Sequence, residues 1–238
     1  MRRFVIGDIH GRLGALLEVF KACKFDYNND KLIALGDIVD GGNESKQVLD
    51  ELIKIKNIIV VLGNHDQWFM DFFNNNIAEE LWIQQGGANT LKSYGGRITL
   101  KAGEVKAYVD TRDVVVPESH KNLLNNGVYY YKEDDVLFVH GGFDMDQGVE
   151  HTPNETLMWD RKLVQFAKNS YVRGGYKQIY VGHTSTQILH NTTGPIRWYN
   201  VLCLDTGAGW NGKLTIMNID TEQIYQSVFQ KLPVEIPK

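Results

Sequence analysis

Five short polar segments carry the side chains that could do chemistry in this sequence. Each follows an apolar run, and together they supply carboxylates, imidazoles and a carboxamide but no thiolate. Oxygen and imidazole donors without thiolate suit Mn, Fe or Zn ions rather than a purely structural zinc site. In chain order, the segments contain Asp8 with His10, Asp37 with Asp40, Asn64 with His65, then His140 and His183.

The arrangement of these donors favours two metal ions. Asp8 and His10 flank one residue at a strand end, so both side chains can turn toward the same ion. Asp37 follows the middle one of the first three strands, and its two carboxylate oxygens can bridge a pair of ions. Paired ions typically lie ~3.5–4 Å apart, clamp an in-line displacement at phosphorus and lower the pKa of bound water. We therefore expect a phosphoesterase that uses direct attack of metal-bound hydroxide, with no covalent enzyme intermediate.

Alternating strand and helix patterns place these segments at strand ends. In the first third of the chain, predicted strands at 4–7, 31–35 and 58–62 alternate with predicted helices at 13–22 and 44–56. This order predicts a βαβαβ unit and a parallel sheet. The polar residues then lie at the carboxyl ends of the strands, where open α/β sheets bind their ligands.

The remainder of the chain predicts a helical cap followed by more strands. Residues 67–126 have a mainly helical pattern and are expected to form a cap insertion over the site. Because no repeat or Pro-rich linker interrupts the chain, residues 1–238 are expected to form a single domain. Turn residues at 207–212 predict antiparallel pairing of the last two strands. The later predicted strands are 128–131, 136–139, 178–181, 199–204 and 214–219.

Composition argues against several classes of partner. With 25 basic and 29 acidic residues the net charge is −4, so we expect no broad cationic surface for nucleic acid or anionic membranes. The first residues lack the apolar region of a signal peptide, and no segment has the unbroken apolar length of a membrane span. We therefore expect a cytoplasmic protein. Cys23 and Cys203 have no metal or redox spacing and are expected to be buried, reduced thiols.

The polar segments resemble the motifs of the calcineurin-like metallophosphoesterases, and within that superfamily those of the PPP-type phosphatases. The resemblance is densest over 4–66, and the stretches 86–95 and 157–161 are most similar to small bacterial and phage serine/threonine protein phosphatases. It implies an α/β fold, with two central mixed β-sheets flanked by helices in an α/β/β/α sandwich. The matching segments are Gly7-Asp8-Ile9-His10-Gly11, Gly36-Asp37-Ile38-Val39-Asp40, Gly63-Asn64-His65-Asp66, His140-Gly141-Gly142, Leu157-Met158-Trp159-Asp160-Arg161 and Gly182-His183-Thr184.

The resemblance also implies a cofactor and a role for each site residue. It implies two divalent metal ions, of which we expect Mn, with Fe or Zn left open. His65 would protonate the leaving oxygen, and Asp40 would hold its ring and keep it charged. Arg161, together with Asn64, would bind phosphate oxygens. The first metal would be held by Asp8, His10 and Asp37, and the second by Asp37, Asn64, His140 and His183.

Two departures from the family pattern affect substrate binding. After Val39-Asp40 the pattern has arginine and then glycine, whereas this chain has Gly41-Gly42. Either the phosphate pocket is looser and wider, or another cation reaches it. Asp66 replaces the glutamate that protein phosphatases often carry, and aspartate there is also seen in the diadenosine tetraphosphatase-like branch. The candidate replacement cations are Arg12, Lys46, Arg173 and Arg197.

A few other residues have simpler interpretations. Asp40 could instead cap the helix that begins near residue 43, and Arg161 could be a surface residue of an amphipathic helix. Trp210, in a glycine-rich turn, is a candidate for contacting substrate, although it could equally cover a hairpin. Three histidines belong to no motif and are expected to be exposed, namely His120, His151 and His190.

The function that this pattern favours is a serine/threonine phosphoprotein phosphatase acting on a phosphorylated protein or a small phosphoester. A dinucleoside polyphosphate hydrolase of the diadenosine tetraphosphatase type is the alternative enzyme. An inactive phospho-binding scaffold is the non-enzyme alternative, and it is disfavoured because no predicted metal ligand is missing. The sequence leaves the natural substrate, the cellular metal and the oligomeric state open.

Overall fold

The first sheet is built on the three parallel strands that the sequence predicts. The structure is a computed structural model that describes residues 1–100 and 107–228. Strands β1 (Arg3–Ile6), β2 (Lys31–Ala34) and β3 (Asn57–Val60) pair in parallel and are connected by helices α1 (Leu13–Cys23) and α2 (Ser45–Leu52).

The segment that follows β3 combines helices with one pair of strands. The predicted helices are present, but Arg97–Leu100 and Ala107–Asp110 pair as antiparallel strands that we did not predict. A π-helical turn at Ile83–Gly87 links two short helices. In order, the elements are α3 (Asn64–Asn75), α4 (Glu80–Trp82), α5 (Ala88–Ser93), strands β4 (Arg97–Leu100) and β5 (Ala107–Asp110), and α6 (Glu118–Asn125).

A second mixed sheet comes from the later part of the chain. Its strands are β6 (Tyr130–Glu133), β7 (Val136–Val139), β8 (Gln178–Val181), β9 (Ile196–Trp198) and β10 (Val201–Cys203), in the order β6-β7-β8-β10-β9. Between them lie the short helices α7 (Asn154–Trp159), α8 (Lys162–Ala167) and α9 (Thr186–His190). Strands β11 (Thr215–Asn218) and β12 (Ile224–Gln226) complete the first sheet, in the order β12-β11-β1-β2-β3.

Three apolar clusters stack these layers. Alternate strand residues such as Val5 and Phe138 meet between the two sheets, where the rings of Phe138 and Tyr180 are stacked with centroids 5.1 Å apart. On the outer face of the first sheet, Phe4 packs in one cluster with residues of α1, α2 and α3, and on the outer face of the second, Val139 packs with residues of α7 and α8. Both faces of each sheet are therefore covered, and the predicted α/β/β/α sandwich is confirmed.

The predicted antiparallel pairing of the last two long strands is wrong. Strand β10 pairs with β8 and β9, whereas β11 pairs with β1 and β12, so the two belong to different sheets. The intervening turn is closed by bonds from the backbone N–H groups of Trp210 and Gly212 to the carbonyl of Gly207. Turn residues predict a reversal of the chain but not which strands it joins, and here the turn carries the chain from one sheet to the other.

The expectation that His120 is exposed is also wrong. Its side chain is fully buried between Tyr94 Oη at 2.9 Å and Asp50 Oδ1 at 3.0 Å, so both ring nitrogens have partners. Cys23 and Cys203 are buried free thiols, as expected. No helix within residues 1–100 and 107–228 is both long and apolar enough to cross a membrane.

Candidate active site

The site residues at the strand ends have an unusual backbone conformation. His10, Asp37, Asp40 and His183 have positive φ angles of 48°, 49°, 70° and 63°, in the left-handed region that residues other than glycine rarely adopt. Such strain costs on the order of 1–3 kcal/mol per residue and persists only where the surroundings enforce it. Here the neighbouring strand ends bind each other, as in the bond of 2.8 Å from the N–H of His10 to the carbonyl of Asp37.

Asp37 lies at the centre of the site. Its Oδ2 is 3.3 Å from His140 Nε2 and 3.7 Å from His10 Nε2. It belongs to two groups whose donor atoms lie within 4.8 Å of one another, one with His10 and His65 and the other with His140 and His183. Burial acts to raise the pKa of Asp37, but the neighbouring imidazoles of His140 and His65 hold it well below its ordinary value. A single ionised carboxylate thus faces both groups.

Asp8 and Asn64 join the same centre. Asp8 Oδ2 accepts a hydrogen bond of 3.0 Å from the backbone N–H of His183, which comes from the second sheet. Asn64 Oδ1 lies 3.3 Å from His140 Nε2. The structure therefore brings together all six predicted metal ligands, although they span residues 8–183 of the chain.

Glycines next to the ligands make room for the carboxylates. A Cβ atom on Gly63 would lie 2.2 Å from Asp37 Oδ1, and one on Gly182 would lie 2.3 Å from Asp8 Oδ1. Both distances are far below a van der Waals contact, so any side chain at these positions would displace the carboxylate. This close approach is a physical reason why glycine precedes Asn64 and His183 in the sequence.

Backbone carbonyls orient two of the imidazoles. His10 Nδ1 lies 3.2 Å from the carbonyl of Val39, and His140 Nδ1 lies 2.6 Å from the carbonyl of Leu35. A carbonyl can only accept, so each Nδ1 carries its proton and each Nε2 is free to act as a ligand. Outer bonds of this kind fix the tautomer and orientation of metal-binding histidines.

The donor set fits divalent cations. Asp8 Oδ1 and His183 Nε2 are buried and have no hydrogen-bond partner among the described residues, a state that usually costs about 1–3 kcal/mol per group. Burial lowers the pKa of His10 to about 4 and that of His183 to about 3, so both rings are neutral at neutral pH. Neutral imidazoles and carboxylates are the forms that bind metal, and a cation would supply the missing partners.

His65 is paired with a fully buried carboxylate. Its Nδ1 lies 2.7 Å from Asp40 Oδ2, which also accepts a bond of 2.8 Å from Trp82 Nε1, while Thr90 Oγ1 donates to Oδ1 at 2.6 Å. Burial alone would lower the pKa of His65, but the charges of Asp37 and Asp40 raise it to about 9. Asp40 does not cap α2, because the described hydrogen bonds of its side chain go to these three partners.

Two further buried carboxyl groups lie near the centre. Asp66 accepts bonds from the backbone N–H groups of Ile38 and Gly63, at 2.9 and 3.0 Å, and so ties two strand ends together. Burial raises the pKa of Asp66 to about 7 and that of Asp205 to about 6. Asp205 follows an apolar strand just as Asp8 and Asp37 do, but from the sequence we assigned it neither a metal-binding nor a catalytic role.

Arg161 is exposed at the start of α8, and its charge helps to lower the pKa of His183, so it lies near the metal-ligand cluster. The other candidate cations are engaged elsewhere or exposed. Arg12 donates to the carbonyl of Ala208 at 3.0 Å, and Lys46 pairs with Asp50 at 3.1 Å. Arg197 pairs with Glu222 at 2.9 Å, and Arg173 is exposed.

A cavity of about 190 Å³ opens beside Gly41, where the family pattern has its arginine. Among the described residues that line it there is no lysine or arginine. His10 and His65 line it together with Trp210, which is 60% exposed. A larger cavity of about 500 Å³ lies along β3 and contains none of the site residues.

Comparison with known proteins agrees with this geometry. The family model described as calcineurin-like phosphoesterase matches residues 1–187. Serine/threonine-protein phosphatase 1 of Salmonella typhimurium is 34% identical over 230 residues, which cover 91% of each chain. A symmetrical bis(5'-nucleosyl)-tetraphosphatase of Neisseria gonorrhoeae is 26% identical over 270 aligned residues, covering 95% of each chain.

Solved structures share the fold. The crystal structure of a presumed diadenosine tetraphosphatase superposes with a TM-score of 0.66 at 17% identity and covers 94% of this chain and 92% of its own. A metallophosphoesterase from Sphaerobacter thermophilus has a TM-score of 0.58 at 17% identity, covering 97% and 90%. Because the family model matches well over half of the sequence, the chain belongs to the calcineurin-like phosphoesterases and is a hydrolase acting on phosphoester bonds.

Proposed function

We propose that the protein is a dimetal phosphomonoesterase that dephosphorylates phosphoproteins. The observation that carries this proposal is the position of Asp37, one carboxylate shared by two groups of donor atoms, each group lying within 4.8 Å. One of these groups contains His65, whose Nδ1 lies 2.7 Å from a buried carboxylate, so its ring is also available as a proton donor. This combination is suited to in-line displacement at phosphorus with assistance to the leaving group.

Two divalent ions fit this site. We propose that Asp8, His10 and Asp37 would hold one ion and that Asp37, Asn64, His140 and His183 would hold the other. When bound, the ions would supply Lewis acidity toward the phosphoryl oxygens and acidify water. The nitrogen and oxygen donors suit Mn, Fe or Zn, and we propose Mn.

The chain's own residues supply proton transfer and substrate binding. His65 carries its proton at neutral pH, and because its Nδ1 faces Asp40, the free Nε2 is the atom that protonates the leaving oxygen. Arg161 and Asn64 bind non-bridging phosphate oxygens, and a guanidinium can do so with two parallel hydrogen bonds. Asp40 positions the His65 ring and stabilises its charged form.

Similarity supports a phosphoprotein substrate. The relative from Salmonella typhimurium that is 34% identical is named a serine/threonine-protein phosphatase, and its length matches this chain closely. We therefore propose serine/threonine phosphoprotein hydrolysis as the parent activity. A cytoplasmic location is part of this proposal, and the two buried free thiols are compatible with it.

Hydrolysis of dinucleoside polyphosphates is the second candidate. It is supported by the relative from Neisseria gonorrhoeae, which is named a symmetrical bis(5'-nucleosyl)-tetraphosphatase and aligns with 95% of this chain. Asp66 adds nothing to this candidate, because its carboxylate is engaged by the backbone N–H groups of Ile38 and Gly63. The presence of aspartate at position 66 therefore affects how the strand ends are held together, and not which substrate binds.

The test compares three substrates with Mn²⁺, Fe²⁺ or Zn²⁺ added to metal-free protein. We expect Mn²⁺-dependent hydrolysis of p-nitrophenyl phosphate and faster turnover of a phosphoseryl peptide than of diadenosine tetraphosphate. The opposite order would favour the second candidate. Absence of turnover with every metal would overturn both and favour the inactive phospho-binding scaffold.

A matched pair of variants separates the acid from the ligands. His65→Asn should retain two metal ions per chain, measured by elemental analysis, while kcat falls by ~10²–10⁴. His140→Asn is the control, and it should lose bound metal as well as activity. If His65→Asn also lost metal, His65 would be a ligand and not the proton donor.

A further inference from the structure

The cavity beside Gly41, here called the Trp210 cavity, lies next to the proposed reaction centre. The proposed mechanism does not yet assign a function to this cavity. It has a volume of about 190 Å³, the space of roughly six water molecules at ~30 Å³ each. A planar ring can therefore enter it. The cavity is lined by the backbone of Gly41 and by five side chains that determine its shape and chemistry, those of His10, His65, Gln84, Asn89 and Trp210.

The position of His65 indicates where the leaving group would lie, on the basis of the proposed function. A proton donor must lie within hydrogen-bond reach of the oxygen that it protonates. His65 lines the cavity, and since its Nδ1 is held by Asp40 at 2.7 Å, only Nε2 is free to donate. The group attached to the leaving oxygen must therefore extend into the space next to that ring.

The lining of the cavity suits an uncharged group. Its described lining consists of two histidines, three glycines, three carboxamide side chains and one tryptophan, with no lysine, arginine or carboxylate. An anionic leaving group such as a nucleotide would enter without a cation to pair with. A neutral ring could stack on the tryptophan, with the uncharged side chains of Gln84 and Asn89 beside it.

Trp210 is held in place for stacking although it is 60% exposed. Its own N–H bonds to the carbonyl of Gly207 at 3.0 Å, and Arg12 Nε bonds to the carbonyl of Ala208 at 3.0 Å. Gly209 packs so tightly on the ring of His10 that a Cβ there would lie 2.5 Å from Cδ2. The turn is thus fixed against a metal ligand, which presents the indole to the reaction centre with little ordering left to occur on binding.

We propose that Trp210 is a specificity determinant that stacks on the ring of an aryl leaving group. The parent activity already includes the aryl phosphomonoester p-nitrophenyl phosphate, and the proposal assigns recognition of such aryl leaving groups, including the ring of phosphotyrosyl peptides, to Trp210. Aromatic pairs of this kind change affinity by about 2- to 10-fold. Because the ring stacks equally before and during the reaction, the effect should be seen in KM rather than kcat.

The experiment uses two peptides with the same flanking sequence, one with phosphotyrosine and one with phosphoserine. We expect Trp210→Ala to lower kcat/KM for the phosphotyrosyl peptide by about 2- to 10-fold through KM, with the phosphoseryl value changed less than about twofold. Trp210→Phe should restore most of the difference. Tyr199→Ala is the matched control, since Tyr199 is 59% exposed and is not among the residues that line the cavity.

Each other outcome overturns a defined part of the proposal. An equal loss on both peptides would mean that Trp210 only supports the turn, and no loss on either would mean that it does not contact the leaving group. If Trp210→Phe failed to restore kcat/KM for the phosphotyrosyl peptide while Tm stayed unchanged, stacking would be excluded. If the wild-type protein with Mn²⁺ hydrolysed the phosphoseryl peptide but not the phosphotyrosyl peptide, the aryl subsite would be wrong and the parent activity right. Hydrolysis of neither peptide nor p-nitrophenyl phosphate would overturn the parent activity, and the aryl subsite with it.

Discussion

The substitution Asp40→Asn tests the proposed proton donor because it removes one charge and almost no hydrogen bonds. The Oδ2 atom of Asp40 accepts from His65 and Trp82, and an asparagine oxygen at that place can accept from both. The new NH₂ group would then face Thr90 Oγ1, which can accept. The variant should therefore fold. By contrast, Asp40→Ala would leave the buried hydrogen-bond donors of His65, Trp82 and Thr90 without their partner.

The size of the effect follows from the pKa of His65. In the metal-free protein that pKa is raised to about 9 from an ordinary value of 6.5, and Asp40 is one of its two main causes, with Asp37. Each unit by which the pKa falls weakens the charged form by about 1.4 kcal/mol. We expect a fall of about one to two units, which makes the ring a stronger acid but lowers its protonated fraction at pH 9 from about one half to about 1–10%.

The assay compares phenyl phosphate with p-nitrophenyl phosphate, whose leaving group needs far less protonation. At pH 9 with saturating Mn²⁺, Asp40→Asn should lower kcat about 5- to 50-fold on phenyl phosphate and less than about 3-fold on p-nitrophenyl phosphate. An equal loss on both substrates would refute the assignment of His65 as the acid. So would wild-type kcat on phenyl phosphate in the variant.

The same pair predicts a pH dependence with a definite sign. Because folding raises the pKa of His65 from 6.5 to about 9, mainly through Asp37 and Asp40, protonation of His65 stabilises the metal-free protein below pH 6.5 by about 3 kcal/mol, and this contribution is lost as the pH rises through 9. In Asp40→Asn the loss should begin at a lower pH. Denaturant unfolding of the metal-free proteins between pH 6 and 10 measures it, and parallel profiles would contradict the pairing.

Three further results are expected. Arg161→Ala should lower kcat/KM by ~10- to 100-fold through its lost charge-assisted bonds to phosphate, with partial recovery in Arg161→Lys, and unchanged steady-state kinetics would exclude phosphate contact. Gly41→Arg should lower KM for a phosphoseryl peptide, because the new side chain adds a cation, and raise KM for phenyl phosphate, because it fills the Trp210 cavity. The φ of 71° at this position will cost the variant some stability. Unchanged KM and kcat would contradict a loose phosphate pocket. Mn²⁺ at 100 times its Kd should stabilise the protein by about 2.7 kcal/mol, seen as a higher Tm, and Asp37→Asn should abolish most of this shift. Chelation that left Tm unchanged would argue against a bound metal.

Much of the site was predictable because its residues lie at strand ends. Parallel strands bring their carboxyl ends to one edge, so polar residues after β1, β2 and β3 had to lie near one another once the βαβαβ pattern was recognised. The resemblance then connected these segments with His140 and His183, and the structure places both beside Asp37. The βαβαβ order and the chemistry of the ligands were thus determined by the sequence alone, because both depend on residue types and short-range periodicity.

Other features depend on packing between distant parts of the chain. The surroundings of Asp40 depend on Trp82 and Thr90, which reach it only because the π-turn Ile83–Gly87 lets Gly86 pack against Gly41. The burial of His120, the raised pKa of Asp205 and the joining of β10 and β11 to different sheets have the same origin. Periodicity and turn chemistry report what each segment can form, but burial and strand partners are chosen by the apolar surface that remote segments offer. For that reason the tertiary structure alone decided how the His65 ring is held and which cavity lies beside it.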